Sequence, residues 1–198
     1  MSLIIPVDDE VTLRLVEPQH AEEIAAAVAH SREHIGRRMP WATPEYDAES
    51  ARAWIKATLK QFGLRNELPL SILERGRVVG GTGWHDWQQG RNEALDMDFG
   101  SVDLGYWLVE DAQGRGIATR TVRALLDYGF REVGLTRVTI RTQPGNAPSR
   151  AVAERLGFTL EGTLRRVFRW KNAWVDHCVY AMLAEDWLNG SSQKGNAA

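Results

Sequence analysis

A single mixed α/β domain is predicted for this chain, and three observations predict it. The second half alternates β-type and helical patterns in the order strand, helix, strand, helix, strand, strand, which builds a mixed sheet flanked by helices. The 198 residues are 43% hydrophobic and 25% charged, enough apolar material for one well-buried core and marginal for two. No repeat or linker interrupts the chain before the Gly-, Ser- and Asn-rich stretch 189–198. One domain over residues 1–188 and a flexible tail over 189–198 are therefore expected.

The elements follow in order. Val11–Leu15 alternates as V-T-L-R-L, a short strand. Pro18 opens an alanine-rich helix to about His30. Asp47 is the expected N-cap of a second helix to about Phe62, with an irregular loop at residues 37–41 between the two. Leu70–Glu74 and Val78–Trp84 form a hairpin about Arg75-Gly76-Arg77. Gly80, Gly81 and Gly83 within its second arm mark a bulge or a close backbone approach. A loop around Gly90-Arg91-Asn92 leads to a strand at Val102–Leu108, then to a helix at 117–132 ended by Gly134. Arg137–Gln143 is a strand, and Ala147–Arg155 a short helix capped by Asn146 and closed by Gly157. A long hairpin turning at Lys171-Asn172 completes the sheet.

Composition excludes several classes. A formal net charge of −2 leaves no broad basic footprint for nucleic acid or an anionic membrane. The lone cysteine, Cys178, forbids an intrachain disulfide and any multi-cysteine zinc site. The five histidines are scattered; His30 and His34 stand four apart without a third ligand nearby, so no metal is expected. The first ten residues lack a basic leader region, and no apolar run approaches the ~20 residues that span a bilayer. A cytoplasmic protein is expected, as a monomer or homodimer.

Chemistry concentrates between Asp103 and Gly162. A strand runs into Gln113-Gly114-Arg115-Gly116-Ile117-Ala118 and then into a helix. Such a turn presents unpaired N–H groups and the positive end of a helix dipole, a seat for phosphate. Gly114 and Gly116 let an anion approach the backbone, and Arg115 adds a charged donor. Neither the G-x-x-x-x-G-K-[ST] phosphate loop nor the G-x-G-x-x-G dinucleotide signature is present. From the glycines alone, a plain strand-to-helix turn stays open.

The surrounding residues narrow the choice. Gln113-x-x-Gly116-x-Ala118 matches the Q/R-x-x-G-x-G/A motif of the GNAT superfamily, and Asn146-x-x-Ser149 through Gly157-Phe158 to Glu161-Gly162 is similar to a second motif of that superfamily. The Gly105-Tyr106-Trp107-Leu108 strand and the hairpin Trp174-x-Asp176…Tyr180 resemble the RimJ/RimL branch, which contains N-terminal acetyltransferases of ribosomal proteins and relatives acting on other amines. The resemblance covers about residues 100–185. It implies a mostly antiparallel central sheet splayed at an acetyl-CoA site. Leu108 and Val109 would pair with the pantetheine arm through their backbones, residues 113–118 would wrap the pyrophosphate, and Asn146 would bind the arm.

The implied reaction is direct attack of a neutral primary amine on the thioester in a ternary complex. The amine must lose a proton, the oxyanion needs donors, and the thiolate needs a proton. N–H groups near Leu108 would serve the oxyanion and Ser149 would protonate the thiolate. Asp103 and His85 are the candidate bases. Residues 165–168 occupy a stretch where some RimL-like members hold a carboxylate, which these residues lack. Trp41, Trp84 and Phe168 are candidates for an acceptor pocket, the acceptor being a peptide N-terminus or a small amine. The competing reading is a non-catalytic acyl-CoA-binding sensor on the same fold.

Overall fold

The computed structural model of the protein describes residues 3–92 and 97–194. Strands β1 (Ile4–Pro6) and β2 (Val11–Leu15) lead into a 3₁₀ turn at Pro18–His20 and helices α1 (Ala21–His30), α2 (Arg32–Gly36) and α3 (Ala48–Gly63). Strands β3 (Leu68–Glu74), β4 (Arg77–Asn92) and β5 (Met97–Leu108) follow, then α4 (Ile117–Asp127), which runs into a π-turn at Tyr128–Val133. The chain ends with β6 (Arg137–Thr142), α5 (Ala147–Leu156), β7 (Thr159–Trp170), β8 (Ala173–Leu183) and α6 (Ala184–Lys194).

The strands are ordered β1-β2-β3-β4-β5-β6-β8-β7. Pairs β1–β2, β2–β3, β3–β4, β6–β8 and β7–β8 are antiparallel, and β5–β6 is parallel. The chain divides into two compact units: residues 1–85 with 105–124, and residues 86–104 with 125–198.

In the first unit, α1 and α3 cover the sheet. Val16, Ala21, Ile24, Ala25, Ala51 and Ile55 form one buried cluster, and a fully buried Ile contributes about 1.5–3 kcal/mol. Asp47 caps α3 as expected, its carboxylate accepting from the Ser50 N–H at 2.8 Å, which holds that carboxyl below the usual range. The hairpin turn places Arg75 and Gly76 at φ 49° and 80°. The glycines of β4 mark close approach. A Cβ at Gly80 would meet the Trp107 carbonyl at 2.2 Å, and one at Gly83 would meet the Leu68 carbonyl at 2.2 Å.

In the second unit, successive side chains of β6 and β8 point to opposite faces of the sheet. Val138, Ile140, Tyr180 and Met182 are buried on one face, while Thr139, Arg141 and Val179 occupy the other.

Several expectations need correction. Helix α2 and strand β1 carry too few residues to show a period. β4 continues to Asn92 through the expected loop at 90–92, so His85 lies within the strand. Helix α6 reaches Lys194, entering the stretch expected to be a flexible tail; residues 195–198 lie outside the described residues. Among the described residues no helix is long and apolar enough to cross a membrane.

Candidate active site

The glycine-rich turn is built where the sequence places it. β5 ends at Leu108, a 3₁₀ turn spans Glu110–Ala112, and α4 begins at Ile117. Gly114 and Gly116 stand at φ 69° and 75°, the left-handed region that a side chain disfavours. The Gly116 carbonyl accepts from the Arg120 N–H at 3.0 Å, so Gly116 opens the helix and the next N–H groups lack helical acceptors. A Cβ at either glycine would meet nothing within 4 Å. The turn is thus a bare backbone edge with open space before it, which fits a pyrophosphate.

Residues distant in sequence brace this turn. The Glu110 N–H donates to Ser31 Oγ at 2.9 Å, at the break between α1 and α2. Gln113 Nε2 meets His34 Nε2. Arg115 forms a two-point ion pair with Glu74, and Arg120 pairs with Asp8. Sequence reasoning missed Ser31, His34 and Glu74, because partners 41 to 79 residues apart leave no local pattern. Arg115 already holds a carboxylate, so a phosphate meets only its remaining donors.

In the strand before the turn, the Val109 N–H donates to the Val79 carbonyl at 2.9 Å, and the Val109 carbonyl accepts from the Ala112 N–H at 3.2 Å. Alternation along a strand turns the Leu108 N–H and carbonyl the opposite way. In the second unit, β5 and β6 pair at Ser101–Arg137, Val102–Val138 and Asp103–Thr139. Both strands continue past that ladder, β5 to Leu108 and β6 to Thr142.

Helix α5 carries the second motif. Asn146 occupies its N-cap position, but the Asn146 side chain makes no cap hydrogen bond, which corrects the expectation of a capping side chain. Ser149 lies in the first turn, half-buried. The helix is pinned to the sheet by Tyr180, which is 1% exposed. Its hydroxyl accepts from Arg150 Nε at 2.9 Å and donates to Glu154 at 2.8 Å. Burial raises the pKa of that phenol, so it stays a neutral donor.

The remaining candidates separate. Asp103 is ion-paired with Arg141, which also holds Asp86 at 2.9 Å. His85 is exposed, with Nε2 3.4 Å from where a Cβ at Gly105 would stand. Trp84 is fully buried and belongs to the core, which corrects its assignment to an acceptor pocket. Trp41 is 39% exposed and meets Trp107 edge-on at 5.7 Å. Phe168 is half-buried, its ring 5.4 Å from that of His177 in a T-shaped contact. No group of three metal-ligating side chains occurs among the described residues.

Comparison with known proteins agrees with this geometry. The family model described as an acetyltransferase (GNAT) domain matches residues 10–159. YdaF of Bacillus subtilis is 30% identical over 182 residues, 91% of this chain and 95% of that protein. The ribosomal-protein-serine acetyltransferase of Escherichia coli is 23% identical over 93% of this chain and 99% of its own. Mycobacterium smegmatis RimJ in complex with CoA-disulfide superposes with a TM-score of 0.81 at 27% identity, covering 94% of this chain and 87% of that one. These similarities support N-acetyl transfer and not the non-catalytic sensor. The chain belongs to the GNAT acetyltransferase family, with RimJ- and RimL-type relatives, and is an acetyl-CoA-dependent N-acetyltransferase.

Proposed function

We propose that the acceptor is the α-amine at a protein or peptide N-terminus, acetylated by direct attack on acetyl-CoA in a ternary complex. Support comes from the E. coli relative, whose name gives a ribosomal-protein serine as acceptor and which matches this chain over 99% of its length. The exposed Trp41 and the half-buried Phe168 are apolar surfaces suited to the residues behind such an amine.

Acetyl-CoA supplies an activated acetyl thioester. This chain's own residues supply the rest. The turn from Gln113 to Ala118 seats the pyrophosphate on backbone N–H groups, assisted by Arg115. The backbone of Leu108 pairs with the pantetheine arm and donates to the carbonyl oxygen as charge develops on it; Val109 contributes its carbonyl. The Asn146 amide, free of capping duty, binds the arm. Ser149 gives a proton to the departing sulfur. Of the two base candidates read from the sequence, Asp103 is held in the Arg141 ion pair, and His85 stands exposed beside Gly105.

The glycine turn at the start of α4, where a Cβ at Gly114 or Gly116 would meet only open space, is the observation that supports the cofactor assignment. The test is release of free thiol from acetyl-CoA with a serine-initiated hexapeptide, beside the same peptide blocked by N-acetylation. Turnover with the free peptide alone supports an α-amine acceptor. Equal thiol release with both would contradict it.

A further inference from the structure

We infer that His177 takes the proton from the acceptor amine; this rests on the acetyltransferase reading given above and deepens it. The argument begins with the pleat of the second unit. Val102, Val138, Ile140, Tyr180 and Met182 fall on the core face and are all buried. The opposite face carries Asp103 on β5, Thr139 and Arg141 on β6, and Val179 and His177 on β8. Coverage falls along this face. Thr139 is 8% exposed at the last rung of the β5–β6 ladder, whereas Arg141, two residues on, is exposed and His177 is half-buried. Asp103 therefore stands at the ladder's last rung, and Arg141 and His177 lie beyond it.

The surroundings of His177 suit a base. Phe168 on β7 packs edge-on against the imidazole at 5.4 Å, fixing the ring plane. Leu164, its cross-strand partner on β7, brings no charge. From β6 comes Arg141, which holds Asp86 of β4 and Asp103 of β5. On β8 the adjacent Asp176 is occupied, accepting from the Arg166 N–H at 2.8 Å. The cluster of Asp86, Arg141 and Asp103 carries a net charge of about −1 at neutral pH, which attracts an incoming ammonium. Burial and the Arg141 charge lower the pKa of His177, so the imidazole is neutral and basic at neutral pH.

The step balances. The ammonium R–NH3+ gives one proton to a ring nitrogen of His177. The amine lone pair forms the new N–C bond as the C–S bond breaks and its electrons leave on sulfur. The second proton shed by nitrogen ends on that sulfur, giving an amide and a thiol. The imidazolium then returns its proton to water.

The test is the pH profile of kcat/KM with acetyl-CoA and a serine-initiated hexapeptide, for wild type, His177→Gln and Arg141→Gln. The wild type is expected to lose activity only below the ordinary histidine pKa of about 6.5. His177→Gln should lower kcat about 10²-fold and abolish that acid limb, while keeping its rate with hydroxylamine, which is neutral at pH 7. Arg141→Gln keeps His177 but removes the neighbouring cation, so its acid limb should move to higher pH. A merely structural role for either residue would lower the rate without moving the limb. Retention by His177→Gln of both the wild-type rate and the acid limb would overturn the inference alone, as would an unmoved limb in Arg141→Gln. Wild type that binds acetyl-CoA and acetylates no amine would overturn the acetyltransferase reading, and this inference with it.

Discussion

Ser149 is the residue whose proposed role is most separable from folding. It sits half-buried in the first turn of α5, where loss of one hydroxyl leaves the helix intact. Ser149→Ala is expected to retain acetyl-CoA binding and to lose about 10²-fold in kcat, the low end for a positioned proton donor. Calorimetric titration and steady-state thiol release check the two halves separately. Single residues in motifs were legible because their spacing is fixed by chemistry: Gln113, Gly116, Asn146 and Ser149 sit on two turns at helix starts. Partnerships were not. Arg115 with Glu74 and Gln113 with His34 join segments far apart in sequence. His177 shows no local signal at all, since its meaning comes from sharing a sheet face with Arg141 and Asp103.

At the scale of elements, α5 shows how a helix bearing functional residues is held. Arg150 and Glu154 grip the buried Tyr180 hydroxyl on β8, and the Arg150 N–H closes the first turn on the Asn146 carbonyl at 3.1 Å. Tyr180→Phe removes two hydrogen bonds, but Arg150 and Glu154 reach solvent and regain water. The expected cost is about 1 kcal/mol, read as a fall of about 2–4 °C in Tm for a protein of this size. An unchanged Tm would show that the hydroxyl does not hold α5. Elements with strong periodicity or caps were legible: α3 begins beside Asp47, the π-turn after α4 ends at Gly134 with φ 78°, and α5 ends at Gly157 with φ 85°. Short or polar ones were not. α2 spans five residues, and β4 and β5 extend beyond the reach of their alternation, because pairing rather than propensity sustains a strand.

For the whole molecule, the sheet order follows from one device. Among the described residues, the pairs β1–β2, β2–β3, β3–β4, β6–β8 and β7–β8 are antiparallel, whereas β5–β6 forms a parallel ladder over three rungs. A parallel pair needs a crossover, and α4 is that crossover, so the glycine turn stands at the C-terminal end of β5. Ligands of sheets with parallel strands gather at such ends. The mixed class was legible from element order. The early end of the β5–β6 ladder was expected from the family resemblance alone, since nothing in residues 104–108 or 140–142 is too polar or too rigid to pair.

The most direct test of the central claim, that acetyl-CoA binds at the Gly114–Gly116 turn, is calorimetric titration of wild type and Gly116→Asp with acetyl-CoA. Gly116 has φ 75°, so aspartate there is strained and sets a carboxylate against the pyrophosphate. The account predicts micromolar binding, about −8 kcal/mol, by wild type, and its loss in a variant that still unfolds cooperatively. Equal binding by the two proteins, or no heat with either, would contradict it.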